Sequence, residues 1–406
     1  MRVLVITLEF DRATFSGNGT YAACTVRFLR AAGHDVRVLC GAPGEAGEVL
    51  VSHTEGGPTT ALVSLDKWGT LDRSSDWESF ARGARRVASD AAFLGEWHPD
   101  VVAGVDWTSV AAYEALFPAR NVPLVYNNWR VFSRSDPQSL ALEQHAVQVA
   151  AATVALSTVD AAHIRRVLLP RGPVFRVAPP LRLDVRAAHQ ALSEAGCQTR
   201  SLVCCVVRLS AEKEPHRFVQ AMGVLAQRGA LAALGVTPAL VGVPRDPYGH
   251  QLVAQLSAAV PHAEVFTSFL SPEQLGRAVY ARSLLNVHPC SYDSFAQSVI
   301  EAAAFGCPTL MQPSGVGAAD VLAPEQGLSF AMQDEEDAAP AGLADRIHSL
   351  LADATRLAAV GRAAQQAALA MHESVAAEEM TRVLEQVVTQ SPPRGDRRGA
   401  PPPRDT

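Results

Sequence analysis

Residues 2–40 read RVLVITLEFDRATFSGNGTYAACTVRFLRAAGHDVRVLC, a β-branched run, a helical stretch and a second β-branched run. Two strands joined through a helix pair in parallel by a right-handed crossover, and a parallel sheet is covered by helices on both faces. The pattern repeats downstream. Strand candidates at ALVSL (61–65), DVVAGV (100–105), PLVYNN (123–128), TVALS (153–157) and VFRVA (174–178) are separated by helical stretches, so the first half reads as a doubly wound α/β domain. The Pro pair in APPLRLD, Ala178 to Asp184, stops regular structure and links to a second series. That series runs through SLVCCVVRL (201–209), PALVGV (238–243), EVFTSFL (264–270), SLLNVHP (283–289) and PTLMQP (308–313). From about Gln333 the chain reads as helical to near Gln390, and the Pro-, Gly- and Arg-rich tail 391–406 is expected to be disordered.

Two α/β halves suit a chain of 406 residues and leave a cleft between them. With 48% hydrophobic and 19% charged residues the composition is globular, and a net charge of −6 gives no reason to propose nucleic acid or an anionic membrane as partner. Cysteines at 24, 40, 197, 204, 205, 290 and 307 show no metal-ligand spacing and suit buried thiols in a reducing compartment. The apolar N-terminus is interrupted by Glu9 and is too short for a signal peptide or a membrane span. No later run has the length of a span, so a soluble cytoplasmic protein is expected.

Ligands of such sheets bind beyond the carboxyl ends of strands, which makes the residues just after each strand the candidates. After the first strand comes FSGNGTYAA (15–23), where Gly17 and Gly19 allow backbone angles closed to other residues and a close approach to phosphate or sugar at a helix N-terminus. A plain structural turn explains the same glycines. In the second half VVRLSAEKEP places Arg208 and Lys213 after a strand. Two cations there can neutralise a pyrophosphate, or they can be ordinary solvated surface charges.

After SLLNVHP comes PCSYDSFAQSVIEAAAFGCPTL (289–310), with a helix expected from Ser294 or Phe295, Asp293 in the loop before it and Glu301 in its second turn. A carboxylate there can accept from vicinal hydroxyls such as those of ribose while the helix N-terminus faces phosphate. Glu301 sits in an otherwise apolar helix, where an unpaired carboxylate is costly, so it must face a ligand or a donor. Gly315 and Gly317 precede another expected helix start, a second anion-friendly turn. His288, at the end of its strand, reads as a structural residue or as a ligand or base.

These residues resemble the retaining glycosyltransferases of the GT-B fold, in the branch of glycogen and sucrose synthases, over roughly residues 2–385. Asp293 and Glu301 are similar to the two acids of that family's Glu-x7-Glu signature. The resemblance implies two Rossmann-like domains facing across a cleft: residues 1–180 for the acceptor, 181–371 for the nucleotide sugar, and a helix at 372–390 crossing back to the first domain. It implies Arg208 and Lys213 on the diphosphate and its developing charge, Asp293 with Ser294, Phe295 and Ala296 at the donor sugar, and Glu301 on the ribose, beside Gly17, Gly19 and Gly315. Asp106, in a VDWTS segment similar to the HDWxT of glycogen synthases, would orient the acceptor hydroxyl or the donor sugar. Val105 stands where those enzymes carry a histidine, and Asp293 is a shortened form of the first acid.

A nucleotide diphosphate sugar as donor, an acceptor hydroxyl and no metal are the implied partners: the chain has no Asp-x-Asp and no His cluster. Acceptor groups are sought in VDWTS (105–109), NNWRVFSRSD (127–136) and LDKWGTLDRSSDW (65–77), whose Trp68, Trp77, Trp107 and Trp129 could stack on sugars or simply be buried. A nucleotide-sugar epimerase on the same fold and a non-catalytic binding subunit are the competing readings.

Overall fold

The computed structural model describes residues 1–11, 16–53, 57–69, 77–88, 90–134, 136–196, 199–333, 337 and 339–391. Phe15 of the first glycine loop, residues 70–76 of the LDKWGTLDRSSDW segment, Ser135, Cys197 and the tail from 392 lie outside them. The chain divides into two compact units. One holds Met1–Ala155, His163–Val177 and the chain from Ala376; the other holds Leu156–Ala162 and Ala178–Val375.

The first unit is built on eight strands: β1 (Arg2–Thr7), β2 (Asp35–Pro43), β3 (Val49–His53), β4 (Thr59–Leu65), β5 (Val101–Val105), β6 (Leu124–Asn128), β7 (Ala152–Ala155) and β8 (Val174–Arg176). Their order across the sheet is β3-β4-β2-β1-β5-β6-β7-β8. β5 and β6 are buried at every residue, as strands covered on both faces must be. The sheet is not wholly parallel. β3, which the strand pattern passes over, pairs antiparallel with β4 from Val49↔Val63 to His53↔Thr59. As an edge strand it buries little, and Leu50 is one of the exposed large apolar side chains, so its sequence carries no core signal. The helix Glu373–Gln390 belongs to this unit from Ala376, burying Met380, Leu384 and Val387, and Thr381 Oγ1 lies 2.8 Å from His34 Nε2.

The second unit carries β9 (Leu202–Val206), β10 (Thr237–Val241), β11 (Glu264–Phe266), β12 (Ser283–His288), β13 (Thr309–Met311) and β14 (Phe330–Ala331) in the order β11-β10-β9-β12-β13-β14. Every pairing in it is parallel. Its core packs Val203, Cys205, Leu240, Leu285 and Val287 of the strands against Phe218, Met222 and Leu225 of helix Pro215–Gln227 and Ile347 of helix Pro340–Leu351. The six described cysteines are all free and buried.

Candidate active site

Strand order reverses between β9 and β12 in the second unit and between β1 and β5 in the first. Beyond the carboxyl ends of such a strand pair the connections leave in opposite directions and open a crevice. Arg208 and Lys213 follow β9, and Asp293 follows β12, so the expected donor residues of the second unit stand at its reversal point.

The segment after β12 differs from expectation in one respect. Its helix spans Gln297–Ala304, two to three residues later than the sequence implied. Asp293 Oδ1 accepts the Ala296 N–H at 3.0 Å, and Ala296 takes a left-handed backbone, φ 60°. These two features hold 293–296 as a tight turn that delays the helix. Ser294, Phe295 and Ala296 are buried in that turn, and Glu301 falls at the fifth helical residue.

Gly315 and Gly317 also serve differently. The Asp293 N–H donates to Gly315 O at 3.1 Å and the Gly317 N–H donates to Asp293 O at 2.9 Å, a parallel bridge between the two loops. A methyl on Gly315 would stand 1.8 Å from Ser291 O, and one on Gly317 2.0 Å from Ser294 O. What the glycines supply here is backbone-to-backbone closeness. Residues 317–320 form a short 3-10 turn where a helix start was expected.

Lys213 and Asp293 meet. Nζ donates to Oδ2 at 2.7 Å, with 19% of the lysine and 18% of the aspartate side chain exposed. Burial works against the ionised Asp293, but Lys213 and His288 hold its carboxyl well below the usual carboxylate range. His288 Nε2 lies 3.5 Å from Asp293 Oδ2 and 2.9 Å from Cys290 Sγ. Burial disfavours its protonation, yet Cys290 and Asp293 outweigh that and push it up to about 9. Glu214, left-handed at φ 48°, ties the same two strand ends together by accepting the Ser291 N–H at 3.1 Å, and Arg217 donates to Pro289 O at 2.7 Å.

Glu301 faces Arg182, which the sequence did not single out; Nη1 and Oε1 are 3.6 Å apart. Only 12% of the Glu301 side chain is exposed. Burial pushes its carboxyl up to about 7, with Arg182 pulling down and Asp184 pushing up. Arg182 also binds Asp184 at 2.5 Å, so the guanidinium is shared. Arg208 is half exposed and pairs with Glu212 at 2.8 Å. An exposed pair of that kind contributes ~0–1 kcal/mol.

In the first unit, Gly17 and Gly19 lie in the opening turn of helix Gly17–Ala31 with helical backbone, so the angles reserved for glycine are not used there. Ser16 caps that helix by accepting from the Asn18 N–H at 3.2 Å. Three buried carboxylates then brace the loops at this end of the sheet. Glu9, after β1, accepts the Ser16 N–H at 2.7 Å. Asp106, after β5, is left-handed at φ 53°, accepts the Trp129 N–H at 3.2 Å and binds the Asn18 amide. Glu143 accepts the Phe132 and Ser133 N–H groups at 2.7 and 3.0 Å. Burial and then Glu143 push the Asp106 carboxyl well up, against the pull of the Trp129 N–H and Arg130. Trp107 and Trp129 are buried, the latter packed on Tyr21 with ring centroids 4.2 Å apart.

Two family models match the chain: "Glycosyl transferase 4-like domain" over residues 16–180 and "Glycosyl transferases group 1" over 194–367. A glycogen synthase of Mycobacterium tuberculosis is 26% identical, with 90% of each chain covered. This chain is a glycosyltransferase with the GT-B fold. The fold of this glycosyltransferase is similar to that of a sucrose-phosphate synthase from Thermosynechococcus elongatus, with a TM-score of 0.76, 17% identity, and 96% and 99% of the two chains covered. It is also similar to an Anabaena protein, HepE, solved with UDP and glucose, with a TM-score of 0.67, 18% identity, and 95% and 100% covered. At such identities the structural likeness speaks for the fold alone.

Proposed function

We propose that this glycosyltransferase moves a sugar from a nucleotide diphosphate sugar to an acceptor hydroxyl, without a metal ion and with retention of the anomeric configuration. The contact of Lys213 with Asp293 at the β9–β12 reversal point carries the reading. It joins a cation suited to a diphosphate to a carboxylate suited to sugar hydroxyls in a partly buried setting. Arg208 and Lys213 stabilise the charge that builds on the departing diphosphate while the acceptor hydroxyl attacks from the same face. Arg208 exchanges Glu212 for phosphate; Lys213 keeps Asp293 ionised and acceptor-only, ready for a donor-sugar hydroxyl. Glu301, ionised, takes the ribose hydroxyls. Asp106, in the first unit, is assigned to orienting the acceptor hydroxyl or the donor sugar.

HepE was solved with UDP and glucose, and a starch synthase of Arabidopsis thaliana, similar in fold, with ADP and acarbose. They support a nucleotide ligand and leave the base open. The test is a thermal-shift panel of UDP-, GDP- and ADP-sugars in excess EDTA, followed by NMR of the product anomer. A ligand that binds only folded protein raises stability as ln(1 + [L]/Kd), so one nucleotide class should shift the melt and give a product of unchanged anomeric configuration. No shift with any class, dependence on added metal, or an inverted product would overturn the proposal.

A further inference from the structure

The imidazole of His288 and the thiol of Cys290 have no role in the donor reading, yet both converge on Asp293. His288 Nε2, Cys290 Sγ and an Asp293 carboxylate oxygen all lie within 4.8 Å of one another. One imidazole nitrogen, one thiol sulfur and one carboxylate oxygen are the ligand types of zinc and its borderline-soft neighbours. Magnesium takes an octahedral oxygen shell and does not fit this set.

We propose that His288, Cys290 and Asp293 form a binding site for one soft divalent cation, zinc being the type, and that the ion competes with Lys213 for Asp293. The scaffold is largely preset. His288 is the last residue of β12, Cys290 is two residues on, and Asp293 is fixed by the bridge to Gly315 and Gly317. Around a tetrahedral zinc with bonds of ~2.0–2.3 Å, ligand atoms stand roughly 3.5 Å apart. The His288–Asp293 separation of 3.5 Å already meets that, and the 2.9 Å between His288 and Cys290 must widen by about 0.6 Å.

His288 and Cys290 are 1% and 0% exposed, so an ion enters past the partly exposed side chains of Lys213 and Asp293. The Lys213 ammonium, 2.7 Å from the same carboxylate oxygen, is repelled by the incoming dication and swings out on its flexible stem. Cys290 binds as thiolate and His288 through an unprotonated Nε2, the protons of both passing to buffer, and no electron is transferred. Water takes the fourth position.

The alternative is that His288 and Cys290 only strut Asp293 in place. Cobalt(II) separates the two, because a cobalt–thiolate bond adds a near-ultraviolet charge-transfer band. The full-length protein, reduced and freed of metal, is titrated with Co²⁺ without nucleotide sugar, so the outcome is independent of the donor proposal. One equivalent with a thiolate band is expected. Cys290→Ser should lose the band and bind at least about 10-fold more weakly, since loss of even an orienting partner costs ~10-fold. Cys40→Ser, in the other unit, should retain both. No band in the unsubstituted protein, or a band that survives in Cys290→Ser, would overturn the site. If Cys290→Ser fails to melt cooperatively, His288→Gln takes its place, and cobalt affinity unchanged in that variant would overturn the site equally.

Discussion

Glu301→Gln should gain stability relative to the natural residue as pH rises from 5 to 8, most of that relative gain being in place by pH 7. The buried Glu301 carboxyl is pushed up to about 7 from an ordinary 4.5. A carboxyl raised on folding binds its proton more tightly in the folded state, so stability falls as pH climbs from about 4.5 to about 7 and is flat above. At ~1.36 kcal/mol per pH unit, that gap corresponds to about 3 kcal/mol as an upper limit. Glutamine keeps the shape and cannot ionise. Leaving Arg182 without Glu301 adds an offset that does not vary with pH, softened by its pair with Asp184. For a unit of this size ~3 kcal/mol moves a melting midpoint by roughly 6–12 °C. Melting curves of the two proteins at pH 5, 6, 7 and 8 should therefore diverge steadily up to pH 7. Curves that stay parallel would refute the reasoning. Donor binding should run the opposite way. If ionised Glu301 takes the ribose, nucleotide-sugar affinity rises through pH 7 as stability declines, and Glu301→Gln loses that rise.

Lys213→Ala should cut turnover by ~10²-fold or more while the protein still melts cooperatively, measured as initial rates at saturating donor. Gly317→Ala should cost ~3 kcal/mol or more, because a methyl 2.0 Å from the Ser294 carbonyl must push two bridged loops apart; urea unfolding of the purified variant reads this. Glu143→Ala strands the Phe132 and Ser133 N–H groups, whose acceptor it was. Its expected cost is ~2–4 kcal/mol with hydrogen exchange faster at those two amides, and amides that stay protected would show that the brace is dispensable.

The alternation of β-branched and helical runs was enough to place the core strands, because a strand buried on both faces must be apolar along its length. β3 escaped because an edge strand has no such requirement. Glu301 was legible as a lone acid among apolar residues. Its partner was not: Arg182 sits beside the Pro pair of the connecting segment, and nothing in local spacing ties it to a helix more than a hundred residues away. Glu143 and Glu9 resemble the solvated charges of any helix or strand end, and their burial depends on backbone amides that carry no sequence signal. The late start of helix Gln297–Ala304 turns on Ala296 in a left-handed conformation, which alanine does not advertise. The glycines misled in the other direction, their freedom being spent on proximity at Gly315 and Gly317 and left unspent at Gly17.

The bridge between Asp293 and the Gly315–Gly317 segment also bears on how this enzyme can be altered. With main chain laced to main chain and no room for a methyl, neither loop can be lengthened or grafted alone without unfastening its neighbour. Redesign of donor choice is thus confined to exchanging side chains on a stiff frame, and inserted residues would be tolerated only outside the stretch from Ser291 to Gly317.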